Sequence, residues 1–588
     1  MNQQKLVRVI ALIVITLLVT GCVGAAPPTA NTEAAPAAEA PVAAAPAAEA
    51  TSAPAEEAAA PAEAWYNPDD LGESWYNICE ASPPQQGGTI TSSEAAAALA
   101  GGANWFSYAA KDQYLWSQLF DEDVDGETIH PDLATDWTAS DDGLVYTFNL
   151  RQDVKFSDGV QLTANDVKWS VEAFLHPDSA IPFGRTLSLD AIKGAEELIA
   201  GSAQEVEGVK ALDDFTVEFT LAHPQSNFLD KVRGLNIHPK HLLEGIAYKD
   251  LLTSEYAKTT PVGSGPFKLG EFVPEQYYIL EANENYYAGR PFLDQIIMRI
   301  GLTGATKVAA LEAGEIQIAG TVTPDDYIRL KENPNIALVG GALGGGLAVF
   351  PNLTRPPFDN LKVREAFMHA LDREAIVQAY YNGGELAQVL HSDLVGPLAS
   401  PNIKKFEYDP EKAKALLAEA GWDPEYEVQF LSYYQSDFDK RVQAAMQQYW
   451  ADAGIKVNLV YLDGPTWVQR VYADLDFDLS YGCCGWTDPA ALSEVSCDTF
   501  YPAGYNVSHY CNPEFDELVK TATSEPDAAK RTAMFNQAEE MFVADLGYMT
   551  MFWPLRYHAI SKNVCGYNNH QISEPWTEMY PNKWYLGQ

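Results

Sequence analysis

Residues 23 to 64 are alanine, proline and glutamate with little else, and this stretch decides where folding can begin. Its six glutamates repel one another with no basic residue between them, and the repeated prolines favour extended backbone. No aromatic or large aliphatic cluster is present from which a core could form. The segment reads as a disordered tether, reaching roughly 130 Å at the ~3.1 Å per residue of polyproline II. A wall-spanning spacer on any surface protein has the same composition. Whatever needs a core must come after it, from Trp65 onward.

What precedes the tether is an address. Lys5 and Arg8 form a positive head, Val9 to Val19 is apolar, and Val19-Thr20-Gly21-Cys22 follows. The apolar run is too short to span ~30 Å of hydrocarbon comfortably, so it reads as a secretory signal. The end of this segment resembles a bacterial lipobox. The resemblance implies cleavage before Cys22 and lipid on that residue, with the body held at the outer face of the cytoplasmic membrane, in a periplasm or at the cell exterior.

The 588 residues exceed what one core supports, so several units are expected. The 81 acidic residues outnumber 38 Lys and Arg, leaving a net charge of −43. That field disfavours nucleic acid and anionic lipid surfaces. Seven cysteines are present: Cys22, Cys79, Cys483, Cys484, Cys497, Cys511 and Cys565. If lipid takes Cys22, six remain in an oxidising compartment, an even number. We expect Cys497 with Cys511, closing a short loop, and Cys79 with Cys565, joining the start of the body to its end. Cys483 and Cys484 are then either a vicinal disulfide or two thiols. No C-x-x-C spacing or paired His supports zinc. His238 and His241 flank a Pro-Lys pair in a spacing that suits no standard zinc site.

Along the body, short strand-like runs alternate with helical patterns, the signature of α/β units. Val145 to Leu150 alternates as a half-buried strand. Lys168 to Leu175 reads as a helix capped by Thr163 or Asn165, and Lys412 to Ala420 as one ended by Gly421. Val363 to Tyr381, Gln443 to Trp450 and Ala533 to Phe542 also read as helices.

Several of these segments carry a resemblance. Pro131-Asp132-Leu133-Ala134, Asp142-Gly143-Leu144, Val154 to Gly159 and Thr163-Ala164-x-Asp166-Val167 come in order. Val262-Gly263-Ser264-Gly265-Pro266-Phe267, Pro357-Phe358-Asp359-Asn360, Ala370-Leu371-Asp372-Arg373 and Leu416 to Gly421 follow. Together they resemble the family 5 solute-binding proteins, the peptide/nickel/opine-type receptors of ABC importers, from about residue 85 to nearly the C-terminus. The resemblance implies an α/β, periplasmic-binding-protein-like fold (type II, cluster C) of two lobes with a hinge between them. Residues 65–300 plus 556–588 would form lobe one, with an inserted subdomain at about 110–257, and residues 301–555 lobe two. It also implies a monomeric receptor that closes on a small solute, a short peptide first and an oligosaccharide second. It would present that solute unchanged to permease and ATPase subunits, with no cofactor and no metal.

Peptide-binding relatives hold an Asp four residues before an acidic-Pro pair in lobe two, where it clasps the ligand ammonium. Here Asp488-Pro489 matches the pair, but Gly485 stands at the Asp position. The local chemistry is instead Cys483-Cys484-Gly485-Trp486, two sulfurs and a flat ring suited to stacking. Candidate solute contacts are therefore Cys483, Cys484, Trp486, Asp488 and Tyr481, with Trp467 secondary. Asn104 and Trp105 in a glycine-rich stretch, and Ser92 and Ser93 ending a first strand, complete the set. No phosphate loop, G-x-S-x-G elbow or H-E-x-x-H helix occurs. No enzyme is expected; a secreted hydrolase on a related scaffold is the alternative class, and a chemosensory or adhesion module a third.

Overall fold

The computed structural model describes residues 84–93, 114–122, 129–179, 189–233, 235–342, 346–381, 385–387, 400–484, 489–501, 504, 506–569, 578–579 and 581–587. All lie in the unit Glu63–Gln588. The leader, the tether, Cys22, Cys79, Asn104, Trp105, Trp486 and Asp488 lie outside the described residues.

Strands Ala134–Ala139, Val145–Leu150, Thr216–Thr220 and Val209–Asp213 form an antiparallel four-stranded sheet in that spatial order. Phe148 and Leu150 point inward to a core of their own, the alternation expected of this strand. The helix beside it runs Ala164–Leu175, one turn earlier than the apolar pattern indicated, because Thr163 starts it. The Thr163 N–H donates to Asp166 Oδ2 at 2.8 Å, and Asp166 Oδ1 accepts from the Lys240 N–H at 2.9 Å. One carboxylate thus caps the helix and anchors the segment after it.

Seven strands form the first large sheet: β1 (Thr89–Ser92), β2 (Phe267–Val273), β3 (Tyr277–Ala282), β4 (Gln295–Arg299), β5 (Ile318–Val322), β6 (Ile336–Ala342) and β13 (Leu555–Ser561). Six form the second: β7 (Gly346–Pro351), β8 (Glu385–Leu386), β9 (Glu427–Ser432), β10 (Lys456–Tyr461), β11 (Leu479–Cys484) and β12 (Met549–Trp553). The spatial orders are β6-β13-β5-β1-β4-β3-β2 and β8-β12-β7-β11-β9-β10. These are the sheets of two lobes. The expected boundary at 301 is corrected: β5 and β6 both pair with β13 and stay in the first sheet. The chain crosses between sheets after Ala342, and again at Pro554 between β12 and β13.

The second sheet is buried on both faces. Val428 and Phe430 of β9 enter one core while Leu431 enters the other, and Val349 and Phe350 of β7 divide likewise. Burial on both faces fits the unbroken apolar sequence of β7, Gly346–Pro351. The expected helix over 363–381 is broken: Leu361–His369 ends, Arg373–Ile376 restarts, and a wider turn follows at 377–381. Asp372 caps the restart by accepting from the Ala375 N–H at 2.9 Å. Asn360 caps the first helix, and the buried Arg364 guanidinium donates to the Asp545 and Phe358 carbonyls.

The Gly263–Gly265 motif is a close approach. A Cβ at Gly263 would lie 1.9 Å from the Leu115 oxygen, and one at Gly265 2.6 Å from the Leu115 carbonyl carbon. The Gly265 and Phe267 N–H groups donate to Leu115 and Tyr114 at 2.8 and 2.7 Å, holding the two segments together.

Candidate functional site

β9, β10 and β11 run parallel, so their carboxyl ends share one edge of lobe two. In open α/β sheets the crevice beyond such an edge is the natural ligand site. Register places it at the crossing: Cys484, the last residue of β11, lies opposite Gly346, where the chain has just entered lobe two. In lobe one β1 runs parallel to β4 and β5, and the carboxyl end of β6 lies opposite the start of β13. The ends of β1, β5 and β6 and those of β9 and β11 therefore meet the same pair of crossings.

Ser92 and Ser93 sit at the end of β1. Ser92 has no accessible surface, so the expectation that it offers its hydroxyl to solute is corrected; strand alternation turns it inward. Ser93 is half-buried, and its N–H and hydroxyl both donate to the Ile318 carbonyl, at 3.0 and 3.4 Å. Tyr481 is corrected in the same way. It is fully buried, edge-on to Phe430 at 6.1 Å and Tyr434 at 5.8 Å, and burial drives its hydroxyl pKa well above the usual range. Cys483, opposite Leu347, is exposed. Trp486 and Asp488 lie beyond it, outside the described residues.

The edge is populated by aromatic side chains, most of them absent from the expected set. Tyr433 and Tyr434 follow directly on β9, and Trp467 lies on the helix after β10. Their rings are linked: Tyr434 to Tyr433 at 4.5 Å, Tyr433 to Trp467 at 4.6 Å, Trp467 to Tyr472 at 5.5 Å and Tyr472 to Tyr501 at 5.9 Å. Trp467 is held from beneath, its indole N–H donating to Ser480 Oγ at 3.0 Å. The signal for Tyr433 and Tyr434 was positional: they are the first residues past a parallel strand.

Among the described residues, contacts that bridge the lobes around this edge include three polar ones. Arg441 Nη2, on the helix after β9, lies 2.5 Å from Asp325 Oδ2, on the helix that packs against β6 and β13. Lys231 of the inserted subdomain lies 3.9 Å from Glu494, and the Ser226 N–H donates to the Thr523 carbonyl at 3.0 Å. The expected disulfide Cys497–Cys511 is formed, with Cα atoms 4.5 Å apart. Cys565 is also disulfide-bonded. His238 is buried and bonded to Tyr256, whereas His241 pairs with Asp158 at 2.8 Å. Among the described residues no group of three or more His, Cys, Asp and Glu side chains is arranged to hold a metal. No helix of the described residues is long and apolar enough to cross a membrane.

Residues 128–504 match the family model described as bacterial extracellular solute-binding proteins, family 5, middle region. A Brucella ovis protein named for peptide binding in an ABC transporter is 31% identical over 501 residues, 82% of this chain and 91% of that one. Heme-binding protein A of Haemophilus influenzae is 28% identical over 492 residues, 78% of this chain and 85% of that one. The oligopeptide-binding protein AppA of Bacillus subtilis, solved with a nonapeptide, superposes with a TM-score of 0.75 at 28% identity, covering 86% of this chain and 100% of that one. By these matches and by its two-lobed architecture, the chain belongs to family 5 of the bacterial extracellular solute-binding proteins.

Proposed function

We propose that this chain captures short peptides between its two lobes and hands them, chemically unaltered, to the permease of an ABC importer. Its family is one of exported transport receptors, and the chain is a solute-binding receptor of that kind. The observation that carries the reading is the meeting of the two sets of strand ends at two chain crossings, with interlobe contacts on either side. A solute seated there touches both lobes only when they are shut. It therefore stabilises the closed form by its differential affinity for that form.

The finer parts of the reading follow from residues already named. Cys22 is the lipid attachment point and residues 23–64 the leash, so the body acts as a tethered monomer at the outer face of the membrane. Ser93, Cys483 and Cys484 sit at the strand ends; Asn104, Trp105, Trp486 and Asp488, which complete the proposed set of solute contacts, lie outside the described residues. The protein performs no chemistry on its cargo. Native mass spectrometry of the protein purified from its own host tests this: an intact co-purifying peptide is the expected result. A bound sugar would replace the cargo assignment, and turnover of the solute would overturn the receptor role.

A further inference from the structure

The tyrosine row at the edge of lobe two has a shape of its own. Tyr433 and Tyr501, near its two ends, are 38% and 41% exposed, and Val468 beside Trp467 is 39% exposed, while Trp467 beneath them is 7% exposed. Large apolar side chains left open in this way, contiguous and anchored from below, mark a surface awaiting a partner rather than an unfinished core. The anchoring is explicit. Trp467 is fixed by its bond to Ser480, and Tyr433 leans on it at 60°. Tyr501 is carried on the Cys497–Cys511 loop, which Asn506 knits together through its amide donors to Val495, Ser496 and Tyr510. The rings are thus pre-positioned, and little ordering cost remains when something stacks on them.

We infer that Tyr433 and Tyr501 are specificity residues that select cargo peptides carrying aromatic side chains. The inference rests on the peptide reading above and deepens it. The occupant follows from continuity and chemistry. The row begins at the first residue past β9, on the edge shared with Cys484 and the crossing, so what it meets is the cargo of that cleft. Tilted ring faces and edges gain most from another ring set offset or edge-on, through quadrupole attraction added to apolar burial. A methyl side chain gains only a small area of burial there.

The test is isothermal titration calorimetry on the full mature chain with tetra-alanine, a tetrapeptide of alternating alanine and phenylalanine, and maltotriose. The wild type is expected to bind the phenylalanine peptide about tenfold more tightly than tetra-alanine. Tyr433→Ala and Tyr501→Ala should each cut that preference about threefold or more, while Tyr433→Phe and Tyr501→Phe keep it. Both positions are exposed, and circular dichroism checks that the variants keep the fold. Equal affinity for the two peptides, or a preference unchanged in the alanine variants, overturns the inference and leaves the peptide receptor standing. Binding of neither peptide overturns the peptide reading itself. Maltotriose binding that is lost in Tyr433→Ala assigns the row to sugar and overturns the aromatic-peptide assignment.

Discussion

His238 shows how far a single side chain can depart from what its neighbours in sequence indicate. Beside His241 it looks like half of a surface pair, yet it has no accessible surface and is ringed by Trp116, Phe174 and Tyr256. The Tyr256 hydroxyl donates to the Val262 carbonyl at 3.0 Å, so it accepts from the imidazole Nδ1–H at 3.0 Å. Burial lowers the His238 pKa from 6.5 to about 3. The unfolded chain therefore binds a proton the folded one refuses, and stability contributed here is present above pH 6.5 and lost as pH falls toward 3. The slope is about 1.4 kcal/mol per pH unit in that window. Urea unfolding at pH 7 and pH 5 should show a loss in the wild type, and a smaller loss in His238→Gln. Equal pH slopes in the two proteins would remove His238 from the acid response.

At the scale of elements, sequence legibility followed local chemistry. Gly421 was readable as a helix terminator because left-handed backbone favours glycine, and it ends the helix Pro410–Ala420 with φ of 71°. Val145–Leu150 was readable because one of its faces is buried. The break at Asp372 was not, since it depends on Arg373 reaching the carbonyls of Ala387, Thr550 and Phe406, all remote in sequence. The boundary at 301 failed for the same reason: β5 and β6 are held by β13, more than 200 residues later. For the candidate site, Cys483 was named from its Cys-Cys-Gly-Trp segment and is exposed near the end of β11, whereas Ser92 and Tyr481 have polar groups that strand register turns inward. Tyr433 and Tyr434 were not singled out because their place at the candidate edge comes from which strand they follow. The disulfide Cys497–Cys511 was legible from its short span, a separation of 14 residues. Closing a loop of that size is worth about 3 kcal/mol. The double variant Cys497→Ser/Cys511→Ser should lose about that much in denaturant unfolding, and an unchanged midpoint would show that Asn506 alone holds the loop.

For the molecule as a whole, the contacts named across the lobes among the described residues are polar. Arg441 and Asp325 are 52% and 67% exposed, so water screens their attraction and the pair contributes about 0.2–1 kcal/mol to the arrangement in which the two lobes touch here. That is enough to set how fast cargo leaves. Asp325→Asn should raise the release rate of bound solute up to about fivefold in stopped-flow measurements. The difference should vanish in 1 M salt, where the Debye length is about 3 Å. A rate unaltered at low salt would mean that other contacts, Lys231 with Glu494 and the Ser226–Thr523 bond among them, carry the seam.

The two crossings also say something about ancestry. Everything from Gly346 to Trp553 is one uninterrupted run, and its first and last strands lie together, Leu347 opposite Phe552, with the Trp553 ring 3.1 Å from where a Gly346 Cβ would be. A segment whose two ends emerge side by side has the anatomy of a cassette spliced into a host domain. Recombination that exchanged it would need to mend only two neighbouring joints, and so could refashion one jaw while the other kept its shape.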